Sequence, residues 1–118
     1  MKLYISHSSG FDYTSGLYAP LKKSIARDHD IFFPHDSKDV VNSKSIIQES
    51  DLILAEVSYP STGQGIELGW GDAEGIRIIC FYKAGSSPSS AIELISSSSF
   101  EYASMDEMLS KLTAELSA

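Results

Sequence analysis

Glu67 stands in the run Tyr59-Pro60-Ser61-Thr62-Gly63-Gln64-Gly65-Ile66-Glu67-Leu68-Gly69, where a strand-like segment passes into a helix-like one. Pro60 stops the strand. Gly63 and Gly65 allow backbone angles closed to other residues and let a ligand approach the main chain. The free N–H groups of a new helix form a ready phosphate site, and Ser61 and Thr62 add hydroxyl donors. The spacing puts Glu67 in the first helical turn, where the helix dipole favours an ionised carboxylate. A retaining glycosidic reaction uses such a carboxylate as its nucleophile. By spacing alone, however, Glu67 reads first as a helix-end acid, and the loop is equally an ordinary turn.

Further candidates cluster after the first strand. Ser8, Ser9 and Gly10 can share phosphate recognition with Ser61 and Gly63, or serve plain turn chemistry. Tyr13 and Trp70 can stack on a base; for Trp70, packing competes. Glu56, at the end of the third strand, either orients the site or caps a loop. His35 follows Pro34 and can face a cleft. Lys83, at the end of the fourth strand, can offset phosphate charge or stay solvated. His29 lies in an Asp28-His29-Asp30 turn and reads as solvated.

The elements that must position these groups follow from the apolar pattern. Apolar bursts at 3–5, 31–33, 51–57, 76–82 and 100–102 read as strands. Helices are expected at 17–27, 40–49, 65–75, 89–95 and 104–116. In the second of these, Val40, Ile46 and Ile47 face inward. Ser104 and Glu107 form a capping box for the last. Alternating strands and helices imply right-handed crossovers and a parallel sheet. Five strands give an α/β flavodoxin-like three-layer sandwich, order 2-1-3-4-5. Such a sheet binds ligands beyond the carboxyl ends of strands 1 and 3. The loops at 6–13 and 58–65 meet there.

At 118 residues the chain fits a single domain, 1–118, and 42% hydrophobic residues suffice for one core. Nine basic and 16 acidic residues leave a net charge of −7, which disfavours polymeric DNA or RNA as a partner. A mononucleotide stays compatible, because local backbone donors bind one phosphate whatever the net charge. The single cysteine, Cys80, lies in an apolar run and reads as a core thiol. No metal-ligand spacing is present, and no cofactor is expected. With no signal-peptide pattern and no apolar run of membrane-spanning length, the expected location is the cytoplasm.

The stretch from Asp51 through Gly69, with its Ala55-Glu56-Val57 run, its Pro60-Ser61 pair and the Gly63, Gly65, Glu67-Leu68-Gly69 spacing, resembles the nucleoside 2-deoxyribosyltransferase family. It looks closest to the branch of 2'-deoxynucleoside 5'-monophosphate N-glycosidases. The likeness continues through Ile78-Ile79-Cys80-Phe81-Tyr82, resumes at Ser89-Ser90-Ala91-Ile92, and includes Leu3-Tyr4-Ile5. The resemblance implies a flavodoxin-like fold and a homodimer. It implies Glu67 as the nucleophile on the anomeric carbon, with Tyr4 near it. Ser61 would hold the 5'-phosphate, and Ser90 would serve the phosphate site of the neighbouring subunit.

Two departures stand out. The family carries an acid that assists departure of the base eight positions before Asp51, where this chain has Ser43. The first loop, His7-Ser8-Ser9-Gly10-Phe11-Asp12-Tyr13, also differs from the usual glycine-containing run. Asp12, Asp36 and His7 are the candidates to replace the acid, on position alone. Three functions follow from the resemblance: a nucleotide N-glycosidase, a transferase exchanging bases, or a nucleotide-binding module without catalysis.

Overall fold

The computed structural model describes residues 1–36 and 42–117. Five strands, β1 (Lys2–His7), β2 (Asp30–Phe32), β3 (Leu52–Glu56), β4 (Arg77–Lys83) and β5 (Ser98–Tyr102), form one sheet in the order β2-β1-β3-β4-β5. Every pairing is parallel, as the strand–helix alternation implied. The flavodoxin-like topology expected from the sequence is thus observed. β1 and β3 lie side by side with Tyr4 opposite Ile53 and His7 opposite Glu56.

The alternation of side chains along each strand divides the core in two. Leu3, Ile5, Leu52, Leu54, Ile79 and Phe81 point to one face. There they meet Leu21 of α1 (Ala19–Lys23) and Met108 and Leu112 of α5 (Met105–Ser117). Tyr4, Ile53, Ala55, Ile78 and Cys80 point to the other. Facing them are Ile47 of α2 (Ser43–Gln48), Leu68 of α3 (Thr62–Ala73) and Ile92 of α4 (Ile92–Ile95). β3 is buried along its whole length, the signature of a central parallel strand. α3 lies close to the sheet because Gly71 has no side chain; a Cβ there would run into Ile53. Burial pushes the Cys80 thiol up to about 12, so it is an inert core group, as the sequence suggested.

Four helices differ from expectation, the one at 89–95 being helical only over Ile92–Ile95. The segment 17–27 is not one helix but a wide turn at Thr14–Tyr18, then α1, then a tight turn at Ile25–Arg27. Pro20 sits in the first turn of α1, where its missing N–H costs nothing. Ser24 leaves helical angles while its hydroxyl donates to the Pro20 carbonyl at 2.7 Å. α2 starts at Ser43, capped by Asn42, whose side chain accepts from Ser45 N. Val40 lies outside the described residues. α3 starts three residues before the expected Gly65, because the Ser61 hydroxyl accepts from the Gln64 N–H at 3.3 Å and caps the helix at Thr62. The last helix matches its expectation: Ser104 accepts from Glu107 N, and the Glu107 carboxylate reaches back to Ala103 N. His29, read as solvated, instead keeps its Nδ1 shielded without a partner among the described residues. It borders a small cavity shared with Thr113 and Leu116 of α5.

Candidate functional site

The early start of α3 changes the account of Glu67. It is the sixth residue of the helix, beyond the first turn, so the helix dipole is not what serves it. Nor are Gly63 and Gly65 loop residues with unusual angles; the positive-φ glycines are Gly75 and Gly85. Gly63 and Gly65 are helical instead, and a Cβ on either would meet only open space, so the start of α3 presents a bare surface.

Strand β1 serves Glu67 instead. Tyr4 and Ser6 are two residues apart and point to the same face of the sheet. The Tyr4 hydroxyl donates to Glu67 Oε2, and the Ser6 hydroxyl donates to Oε1 at 3.1 Å. Both carboxylate oxygens are therefore oriented from behind. Tyr4 is fully buried, and its titration is pushed far up, first by burial and next by its bond to Glu67, so the phenol keeps its proton. Ser43 Oγ lies 3.1 Å from the same phenol oxygen. Since the single Tyr4 proton goes to the carboxylate, Ser43 is the donor to Tyr4. A one-way chain, Ser43 to Tyr4 to Glu67, results.

Glu67 and Ser43 line a cavity of about 560 Å³ together with His7, Ser8, Ser9 and His35. Ser61, Gly63 and Trp70 complete the parts of its wall that bear on the expectations. The structure thus gathers Glu67, Ser8, Ser9, Ser61 and Gly63 in one place, beyond the ends of β1 and β3. Ser8 is largely buried, and its hydroxyl accepts from Gly10 N at 3.3 Å, which shapes the loop. Gly65 borders a second groove of about 500 Å³, with Val57, Leu68, Ala91 and Ile92 in its wall. The two cavities share Ser61 and Gln64. Ser90 is exposed, and its carbonyl accepts from Glu93 N; it lines neither cavity within one chain.

The three candidates for the missing acid are all engaged elsewhere. Asp12 accepts from Ser15 N at 3.2 Å, starting the first helical turn, and does not line the cavity. Asp36 pairs with Lys22 at 2.6 Å on the surface. His7 does reach the cavity, but both ring nitrogens are taken. Nδ1 lies 2.7 Å from the Ser8 carbonyl, which only accepts, so the proton is on Nδ1. Nε2 then accepts from the Tyr18 hydroxyl at 2.6 Å. Burial, the largest influence, lowers the His7 pKa from its ordinary 6.5, and the ring is neutral.

His7 anchors an aromatic cluster on this wall. Its ring centroid is 4.6 Å from Tyr13, 5.1 Å from Tyr18 and 5.2 Å from His35. Tyr13 packs inside this cluster, while Trp70 both lines the cavity and packs on the core. Lys83 leans over the stacked rings of Phe11 and Tyr59 and lies 3.3 Å from the Tyr59 hydroxyl.

Glu56 is almost fully buried and does not line the cavity. Its Oε1 accepts from Ser58 N at 2.6 Å, while Oε2 accepts from the Ser58 hydroxyl at 2.9 Å and from the Tyr102 hydroxyl. Its carbonyl accepts from Gln64 Nε2 at 2.8 Å. Of the two readings the sequence left open, capping of the loop is the one observed. The sequence missed Ser6 and Gln64. Ser6 was legible in principle, as the residue two after Tyr4 on a strand read as ending at Ile5.

No family profile matches the chain. It is 47% identical over 47 residues to a protein of Syntrophotalea carbinolica named 2'-deoxynucleoside 5'-phosphate N-hydrolase 1, a match covering 39% of this chain and 33% of that one. It is 37% identical over 57 residues to the 5-hydroxymethyl-dUMP N-hydrolase of Branchiostoma floridae, covering 45% and 54%. The match thus spans a third of the length of the first relative and about half of the second. Among solved structures, the CMP N-glycosidase of Clostridium botulinum superposes with a TM-score of 0.71 at 20% identity, over 96% of this chain and 99% of that one. The 2-deoxyribosyltransferase of Bacillus psychrosaccharolyticus superposes with a TM-score of 0.64 at 18% identity, over 92% and 90%. The resemblance carried by the run around Glu67 is borne out: in sequence the chain is similar to nucleoside 5'-phosphate N-hydrolases, and its fold is that of the deoxyribosyltransferases and N-glycosidases.

Proposed function

We propose that this protein hydrolyses the N-glycosidic bond of a nucleoside or deoxynucleoside 5'-monophosphate, with Glu67 as nucleophile. One observation carries the reading. A partly exposed carboxylate at the wall of a cavity has both oxygens oriented by buried hydroxyls, Tyr4 and Ser6, at the switch point of the sheet. A carboxylate with only a surface role would not need two buried donors.

In the first step a Glu67 oxygen bonds to C1' as the bond from C1' to the base breaks, and its electron pair leaves with the base. In the second, water bonds to C1', the bond from C1' to Glu67 breaks, and the proton that water gives up balances the one the departed base takes up. The positive charge growing on the sugar faces the carboxylate, the electrostatic contribution expected of such a site. Ser61, Ser8 and Ser9, with the bare start of α3 at Gly63, form the phosphate end. Gly10 shapes that end through Ser8. The protein works in the cytoplasm as a homodimer, in which Ser90 of one subunit serves the phosphate end of its partner. The groove beside Gly65 and the exposed Ile66 and Leu94, neighbours in the chain of its wall residues Gly65 and Ile95, support such pairing. Among the described residues, no helix is long and apolar enough to cross a membrane.

Chromatography of a panel of nucleoside monophosphates after incubation tests the reading. Release of free base by the wild type, and none by Glu67→Gln, is the expected result. Base exchange without net hydrolysis shifts the reading to a transferase. Binding without turnover of any member makes the chain a nucleotide-binding module, the reading that Ser43 favours.

A further inference from the structure

Departure of a nucleobase needs a proton as well as a nucleophile, because the electron pair of the broken bond must be neutralised on the base. The resemblance places an acid for that task where this chain has Ser43, a hydroxyl already donating into the Tyr4–Glu67 chain. Among the described residues lining the cavity, the side chains carrying a carboxyl or imidazole group are Glu67, His7 and His35. Glu67 must be ionised to attack. The two nitrogens of His7 are committed to the Ser8 carbonyl and the Tyr18 hydroxyl.

His35 is the remaining group, and its backbone is built to hold it at the wall. It occupies the third position of the turn Phe33-Pro34-His35-Asp36, closed by Asp36 N donating to the Phe33 carbonyl at 3.2 Å. Pro34 in the second position sets the backbone angle such a turn requires. The His35 N–H donates to the Tyr18 hydroxyl at 3.1 Å, and Asp36 is pinned by Lys22. The ring packs edge-on to His7, with centroids 5.2 Å apart, and 5.7 Å from Tyr13. No protein hydrogen bond occupies its ring nitrogens among the described residues. Among the described residues, the charged and titratable groups near it are His7, Tyr13, Tyr18 and the Lys22–Asp36 pair, with Glu67 in the wall of the same cavity.

We propose that His35 is the catalytic acid for departure of the base, taking the place of the acid that Ser43 lacks. This rests on the glycosidase reading above. In the first step the bond from C1' to the base breaks, Glu67 bonds to C1', and the His35 imidazolium gives its proton to the base. In the second, water bonds to C1', the Glu67–C1' bond breaks, and the water proton returns to His35. Both groups end as they began.

The test compares two substrates on wild type and His35→Gln. One is a nucleoside 5'-monophosphate that the wild type cleaves. The other is the 4-nitrophenyl glycoside of the same sugar 5-phosphate, whose leaving group departs without a proton. The expected result is a loss of about 10²-fold or more in kcat on the nucleotide, and no more than about twofold on the nitrophenyl compound. The alkaline limb of the wild-type pH–kcat profile disappears in the variant, and the Kd for the nucleotide is unchanged. Equal losses on both substrates, or loss on neither, overturn the proposal. The variant should fold, because the bond to Tyr18 comes from the backbone and the side chain is exposed. If wild type cleaves neither compound, it is the glycosidase reading that fails.

Discussion

Two glutamates flank the turn from β3 into α3, and both carboxylates are held by hydroxyl groups, yet they do opposite work. Glu56 is 1% exposed and accepts from Ser58 N, the Ser58 hydroxyl and Tyr102, with donors arriving from its own loop and from β5. Every donor faces inward, so the group is a structural knot tying the end of β3 to the edge of the sheet. Glu67 takes two donors from one side only, Tyr4 and Ser6, and opens to the cavity on the other. A carboxylate satisfied from all sides stabilises; one oriented from a single side stays available for reaction.

The difference can be broken most sharply on turnover. Glu67→Gln should lower kcat by about 10⁴-fold, since the amide cannot act as the nucleophile. Glu56→Gln, the same change a short distance away, should stay within about tenfold of wild type. Steady-state base release under identical conditions decides between them; comparable losses would erase the division of labour.

Stability should reverse the order. Glu56→Ala leaves Ser58 N and the Tyr102 hydroxyl buried without an acceptor, at a cost of about 3 kcal/mol. That corresponds to a drop in Tm of about 10 °C. Glu67→Ala removes a group that faces solvent on one side, and its Tm should stay within a few degrees of wild type or rise. Calorimetry of the two variants reads both.

The tyrosines behind each carboxylate refine the same contrast. Tyr102→Phe removes a donor to a buried charge and should cost about 2 kcal/mol with little change in kcat. Tyr4→Phe should lower kcat by about 10-fold to 100-fold through a less firmly oriented Glu67. Its stability should change less, because Glu67 and Ser43 are partly exposed and water can replace the phenol.

How far this contrast was legible in the sequence follows from the kind of signal each group leaves. The parallel sheet and its order were open to reading because β3 and β4 are buried apolar runs, and the stretches between the strands carry helix-like patterns. The family-like run singled out Glu67. The start of α3 was misplaced because two glycines look like a loop, whereas a Ser61 cap overrides their weak helix propensity. Ser6 went unseen because a buried polar residue at a strand end mimics a loop. The Glu56 knot was undecided because its partner Tyr102 lies 46 residues away, at the far edge of the sheet. His35 gained its place only once the turn at Pro34 and the commitments of His7 were visible.

The smallest expected effect concerns the wall that the cavity shares with His7. This histidine is 5% exposed, and burial lowers its pKa from 6.5 because the charged ring loses hydration. In the unfolded chain it protonates near its ordinary value, so below pH 6.5 the unfolded state binds more protons than the folded one. The stability this group contributes is therefore present above that pH and lost as pH falls toward the lowered folded value. One proton sets the ceiling, about 1.4 kcal/mol per pH unit. Urea unfolding at pH 7.5 and pH 5.5 should show wild type losing stability by a margin that His7→Gln does not. The carboxylates, Glu56 included, contribute equally to both proteins and cancel in that difference. An identical loss in both would mean that His7 protonates as readily in the fold as out of it. The tautomer that leaves His35 as the free acid would then lose its support.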